Sequence, residues 1–136
     1  MIEDNSAASY RTWLRYAFED LVVASQTGIV SQILPRHACF HAQQAAEKAI
    51  KAALVYEGAE VPRIHDLNRL ADMLPPGWQL GVTAEELYRL TLWIPESRYP
   101  GDWTPPTDDD AQHALEQARI VVDTIAARLN EEPPNT

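Results

Sequence analysis

The sequence predicts an all-α chain, an up-and-down bundle of four to five helices. Apolar side chains recur at three- and four-residue steps through several long stretches, no stretch keeps a two-residue alternation, and glycines, prolines and capping residues separate the periodic segments. Packing such amphipathic segments against one another buries their apolar stripes without a sheet.

From Ser9 to Ser25, Trp13, Leu14, Ala17, Phe18, Leu21 and Ala24 trace one face, with Arg11, Arg15, Glu19 and Asp20 on others. Gly28 interrupts the pattern. Pro35 suits the first turn of a second helix, where its missing N–H has no intrahelical partner to lose. That helix carries Ala38, Ala42, Ala45, Ala46, Ala49, Ile50, Ala53 and Leu54, a stripe of mostly small side chains, and ends at Gly58 and Pro62. Leu67, Leu70, Ala71 and Leu74 trace a short third helix with Asp66 at its start, stopped by Pro75, Pro76 and Gly77. Thr83 and Glu86 have the spacing of a capping box, so a fourth helix starts near Ala84 and turns Leu87, Leu90, Thr91 and Ile94 inward. Four prolines and a glycine between Pro95 and Pro106 make a loop holding Arg98, Tyr99, Asp102 and Trp103. Thr107 caps the last helix, whose first turn holds Asp108, Asp109 and Asp110 at the positive end of the helix dipole. Its inner face is Leu115, Ala118, Val121, Val122, Ile125 and Leu129.

The chain has 136 residues, 46% of them hydrophobic, which suits one domain with one core; it is read as residues 9–130 between a flexible start, 1–8, and a disordered tail, 131–136. A formal net charge of −9 opposes non-specific capture of DNA or of an anionic membrane, although a local basic pocket survives because exposed charges are screened over about 8–10 Å. Cys39 is the single cysteine and reads as a small buried hydrophobe, which together with the acidic start Met1-Ile2-Glu3-Asp4 and the lack of a long apolar run points to an unanchored cytoplasmic protein.

Along the second helix, His37, His41, Gln44, Lys48 and Lys51 follow steps of four, three, four and three, flanked by Gln43 and Glu47. Two readings stay open at this point. One is a polar groove that binds phosphate, a base edge or a partner's backbone. The other is a solvated helix face on which Glu47 and Lys51 form an i,i+4 pair. His37 and His41 can reach one metal ion, but no third ligand has a recognisable spacing, so neither a metal nor a cofactor is expected. His113 is expected at the surface, and His65 either caps the third helix or bridges to another segment.

The segment Tyr16-Ala17-Phe18-Glu19-Asp20-Leu21, the run from Cys39 to Leu54, the triplet His65-Asp66-Leu67 and the triplet Arg98-Tyr99-Pro100 together resemble the HEPN domain family, in its order and with its separations. The resemblance spans roughly Trp13 to Leu129, with QQAAEKAIKA its most specific part. It implies a helical bundle, commonly homodimeric, often encoded beside a minimal nucleotidyltransferase in a two-component system that acts as toxin and antitoxin. It also implies, for some branches, a metal-independent ribonuclease that uses an arginine followed four to six residues later by histidine. This sequence departs there: after Arg98 stand Asp102, Trp103 and Thr104, and His113 is too far along. An arginine, always protonated, stabilises charge on a phosphate but does not move the 2′-hydroxyl proton.

The expected function is therefore a nucleotide- or partner-binding module, dimeric, with Gln44, Glu47, Lys48, Lys51, Arg98, Tyr99 and Trp103 at its ligand or nucleotidyltransferase surface. Should catalysis remain, Arg98, His41 and His65 are its candidates, in an endoribonuclease with a rewired site. A ligand-free dimeric scaffold is the third option, since the alanine stripe suits close packing within a chain or across a two-fold axis. Arg98 either binds ligand or pairs with Asp102 or the acidic start of the last helix. Tyr99 and Trp103 either stack on a base or close the bundle end. Charge reversal at Lys48 and Arg98 together is expected to weaken binding without lowering thermal stability.

Overall fold

A computed structural model of the chain describes residues 6–29, 32–95, 100–101 and 104–133. Among them are five helices and no strand: α1 (Ser6–Ala24), α2 (Pro35–Tyr56), α3 (Leu67–Asp72), α4 (Ala84–Thr91) and α5 (Asp108–Arg128). The apolar periodicity placed α1 from Ser9, but the helix begins at Ser6, because Ser6, Ala7 and Ala8 carry no bulky side chain to mark a face yet are acceptable in a helix.

The capping residues behave as their spacing predicts. Pro35 opens α2, Asp66 accepts the Asn68 and Arg69 N–H groups at the start of α3, and Thr83 with Glu86 and Thr107 with Asp110 form reciprocal capping boxes on α4 and α5. His37 adds a cap that the sequence reading left out: its Nδ1 accepts the Leu34 N–H at 3.0 Å.

α2 is the axis of the bundle. It packs on α1 along one side and on α5 along the other, while α3 and α4 cover a third side. The start of α1 meets the ends of α2 and α5, with Tyr10 edge-on to Tyr56 and Arg11 paired with Glu131, whose carboxylate holds the guanidinium above its ordinary value. Trp93 and Ile94, just beyond α4, share a recess with His37 and Phe40 at the start of α2. After α2 the chain returns to its middle at His65, α3 leads out again to Trp78 beside Glu57 at the end of α2, and α4 brings the chain back to the start of α2.

The alanine stripe explains how α2 fits in the centre. Ala38, Ala42, Ala45, Ala46, Ala49, Ala52 and Ala53 are completely buried, as are Ile50 and Leu54, and small side chains let the flanking helix axes come close. The stripe is used inside the chain, so a two-fold contact would need another face. Cys39 is buried, as expected of a small hydrophobe.

The far end of the bundle is tied by Trp78. Its indole N–H donates to Glu57 at 2.8 Å, while the Arg128 guanidinium lies 3.9 Å from the ring centre and donates to the Gly77 carbonyl. Next to it, Gly81 adopts φ +82°, and a Cβ there would lie 2.7 Å from Ile120 Cγ2 and 3.1 Å from Thr124 Oγ1.

Gly81→Ala is expected to lift the α3–α4 connection from α5 and lower the unfolding free energy by about 1–3 kcal/mol, read from urea denaturation. Glu86 gives a pH signature: the Thr83 backbone N–H holds its carboxyl below the ordinary carboxylate range. Its contribution is present above its unfolded value and is lost as pH falls through the lowered folded value. Wild type should therefore exceed Glu86→Gln in stability at pH 7, and the gap should close at pH 3.

Candidate functional site

The central position of α2 decides what its polar residues do. Gln43, Glu47 and Lys51 form one ridge at steps of four, and all three are buried, Gln43 completely and the other two to within 5% exposure. Glu47 sits at the middle. Its Oε2 accepts the Lys51 ammonium at 2.9 Å, and the His65 Nδ1 lies 3.0 and 3.1 Å from its two oxygens. Gln43 Nε2 donates both to Glu47 and to the His65 carbonyl, at 3.2 and 3.0 Å, and so holds the ring and the backbone of His65 against the same helix. Gln44 Nε2 donates to Gln43 Oε1 at 2.8 Å and lies 3.4 Å from Glu47. Lys51 also places its ammonium over the Trp13 ring of α1.

A second cluster joins α2 to α1. Asp20, itself buried, receives His41 Nδ1 at 2.8 Å on one oxygen and Lys48 Nζ at 2.6 Å on the other. The two clusters share one plan: a buried carboxylate takes a lysine on one side and an imidazole on the other. In each, the carboxylate accepts from Nδ1–H, so the neutral ring has its lone pair on Nε2, away from the carboxylate. The side chains of His41 and His65 are 31% and 47% exposed, against 5% for Glu47.

The solvated-face reading of the helix is corrected here. The Glu47–Lys51 pair exists, but it is covered by Trp13 of α1 and by His65 of the segment leading to α3, so this side of α2 is closed to water. Lys51 is likewise withdrawn from the open groove that its spacing suggested. Lys48 is at the edge but tied to Asp20, so charge reversal there would set two carboxylates together and disturb α1–α2 packing; that variant is not silent for stability. His65 bridges to α2, as one of its two expected roles, and His113 is exposed. Arg98, Tyr99, Asp102 and Trp103 lie outside the described residues. Among the described residues no group of three or more His, Cys, Asp or Glu side chains is arranged to hold a metal ion, and no helix is long and apolar enough to cross a membrane.

Two site residues were not singled out from sequence. Asp20 was placed on a polar face of α1, yet it lies seven residues from Trp13 and next to Leu21, on the margin of the apolar stripe. Gln43 flanks the polar line by its spacing, yet it is wholly enclosed. In both cases a polar residue on the boundary of a buried face was the available signal.

The comparisons with known proteins agree with this architecture. The HEPN domain family profile matches residues 10–129. The chain belongs to the HEPN domain family. The HEPN chain is similar in structure to TT1696 from Thermus thermophilus, known from a crystal structure, with a TM-score of 0.71, 27% identity, and coverage of 88% of this chain and 97% of that one. It is also similar to ST0689, an archaeal HEPN homologue, with a TM-score of 0.64, 27% identity and the same coverage. No curated protein sequence matches it.

Removing Lys51 tests whether the inner cluster is one coupled unit. Lys51→Met should cost about 3–5 kcal/mol because it leaves the Glu47 carboxylate buried without its ammonium, and adding Glu47→Gln should restore part of that loss. Urea denaturation of the four proteins gives the coupling; strictly additive effects would contradict it.

Proposed function

We propose that this HEPN chain is a nucleotide- or partner-binding module, the non-catalytic or weakly catalytic half of a two-component, toxin-antitoxin-like pair with a minimal nucleotidyltransferase. The observation that supports it is the division of labour along α2. Buried Gln43, Glu47 and Lys51 are satisfied by one another and by His65, while His41, Gln44, Lys48 and His65 reach the edge of the helix with further hydrogen-bonding atoms: the imidazole Nε2 atoms and two more Lys48 N–H groups. Glu47 and Lys51 then act as positioning residues, and the loop of Arg98, Tyr99 and Trp103 supplies further contacts. The working form is a cytoplasmic homodimer whose contact avoids the internal alanine stripe and uses faces such as that of Tyr16 and Val22, which are exposed on α1.

A second reading, a metal-independent endoribonuclease with a rewired site, is favoured by the carboxylate-backed imidazoles, since an oriented imidazole is the proton-moving group that the arginine motif lacks here. RNA cleavage abolished by Arg98→Ala and by His41→Ala or His65→Ala would select it.

The neighbouring gene is expected to encode a minimal nucleotidyltransferase, and the two purified products are expected to co-elute in size-exclusion chromatography. Lys48→Gln combined with Arg98→Gln should weaken the complex or nucleotide binding by about tenfold or more while retaining the helical circular dichroism, corresponding to about 1.4 kcal/mol. A wild-type protein that forms no complex and binds no nucleotide would overturn the proposal.

A further inference from the structure

The charges at the α2 edge nearly cancel before any ligand arrives. Lys48 is held by Asp20 and Lys51 by Glu47, each ammonium within 3 Å of a carboxylate oxygen. With neutral imidazoles, each cluster of one lysine, one carboxylate and one histidine has no net charge. Protonation of the ring gives it one positive charge and turns Nε2 from an acceptor into a donor. The carboxylates balance the charge of the lysines that sequence spacing marks as phosphate ligands, so Lys48 still offers N–H groups but a net positive charge at the edge requires the histidines.

We infer that His41 and His65 are the contacts that recognise a nucleotide phosphodiester at the α2 edge, and that they do so as imidazolium, so that binding takes up protons. The inference rests on the nucleotide-binding reading given above and deepens it. Asp20 and Glu47 are positioning residues in this arrangement: each fixes the ring through Nδ1 and balances its charge, leaving Nε2–H to donate outward. Gln43 completes the inner arrangement by holding the His65 carbonyl.

Among the described residues, each ring is met as follows. His65 faces Glu47, with Lys51 behind it on α2; the adjacent Asp66 turns its carboxylate to the α3 N–H groups, α1 contributes Trp13 over Lys51, and α4 contributes the neutral Thr91, which accepts the Leu67 N–H. His41 faces Asp20 of α1, with Lys48 on the other oxygen and the edge of the Phe40 ring beside it. His37, one turn back, is engaged with the Leu34 N–H. Among the described interactions each ring meets one carboxylate and no cation directly.

The test uses the full chain and a hexa-adenylate RNA without terminal phosphates, whose phosphodiesters do not titrate between pH 6 and pH 8. Its affinity should be about tenfold or more higher at pH 6 than at pH 8. Calorimetry in two buffers of different ionisation enthalpy should show net proton uptake at pH 7. His65→Gln and His41→Gln each retain a polar side chain toward the carboxylate, and each should lower affinity at pH 6 and flatten the pH dependence, whereas His113→Gln on the exposed start of α5 should change neither. Circular dichroism and urea denaturation at pH 6 identify any variant that fails to fold. Binding of equal strength at both pH values, or a full pH dependence in the folded double variant His41→Gln/His65→Gln, overturns the inference while leaving the nucleotide-binding function intact. Absence of binding at both pH values overturns both. A complex with the nucleotidyltransferase alone, formed without RNA affinity, would keep the partner role and reject the phosphate role.

Discussion

The burial of α2 on three sides governs the rest of the molecule. A helix covered on three sides leaves only a narrow strip to water, so every polar group turned inward must find a partner within the protein or carry a desolvation cost of a few kcal/mol. The chain meets this condition with small side chains where neighbouring helices approach and with two closed polar clusters where they do not. Glu47 alone gathers a lysine, two glutamines and a histidine.

Such clusters add little to stability on balance, because removing two charges from water offsets most of their attraction. Their effect is on geometry. Asp20 ties α1 to α2, and Glu47 with Gln43 ties the segment before α3 to α2, so two histidines from different parts of the chain acquire fixed ring orientations. Side-chain entropy lost in advance by such rings is not lost again when a ligand arrives, which is why oriented groups bind and transfer protons more effectively than mobile ones. The HEPN fold here is a rigid frame around partly exposed imidazoles. The recess of about 400 Å³ between the start of α2 and the segment after α4 lies at the same end of α2 as His37 and Phe40, and its lining is largely apolar.

Much of the fold was legible in the chain. The alanine ridge, the proline at the head of α2, the Asp66 cap and the Thr83 and Thr107 boxes are local features whose physics acts within four residues, and all of them recur in the structure. The site was legible in part. Helical spacing put His41, Gln44, Glu47, Lys48 and Lys51 on one side of α2, but it assigned Lys51 to an accessible line and left Gln43 and Asp20 aside. Spacing reports the angle of a side chain around its own axis. It does not report what lies opposite. The partners came from positions 18 to 28 residues away, Asp20 for Lys48 and His65 for Glu47, and no local rule links them.

The sequence by itself determined that the chain is helical, where most helices begin and end, which family it resembles and that a polar ridge accompanies the alanines of α2. Tertiary structure decided which of those polar residues are withdrawn and which reach the surface. The physical reason is that periodicity and capping are properties of a single helix, whereas burial, charge compensation and ring orientation belong to pairs of segments that meet only when the bundle closes.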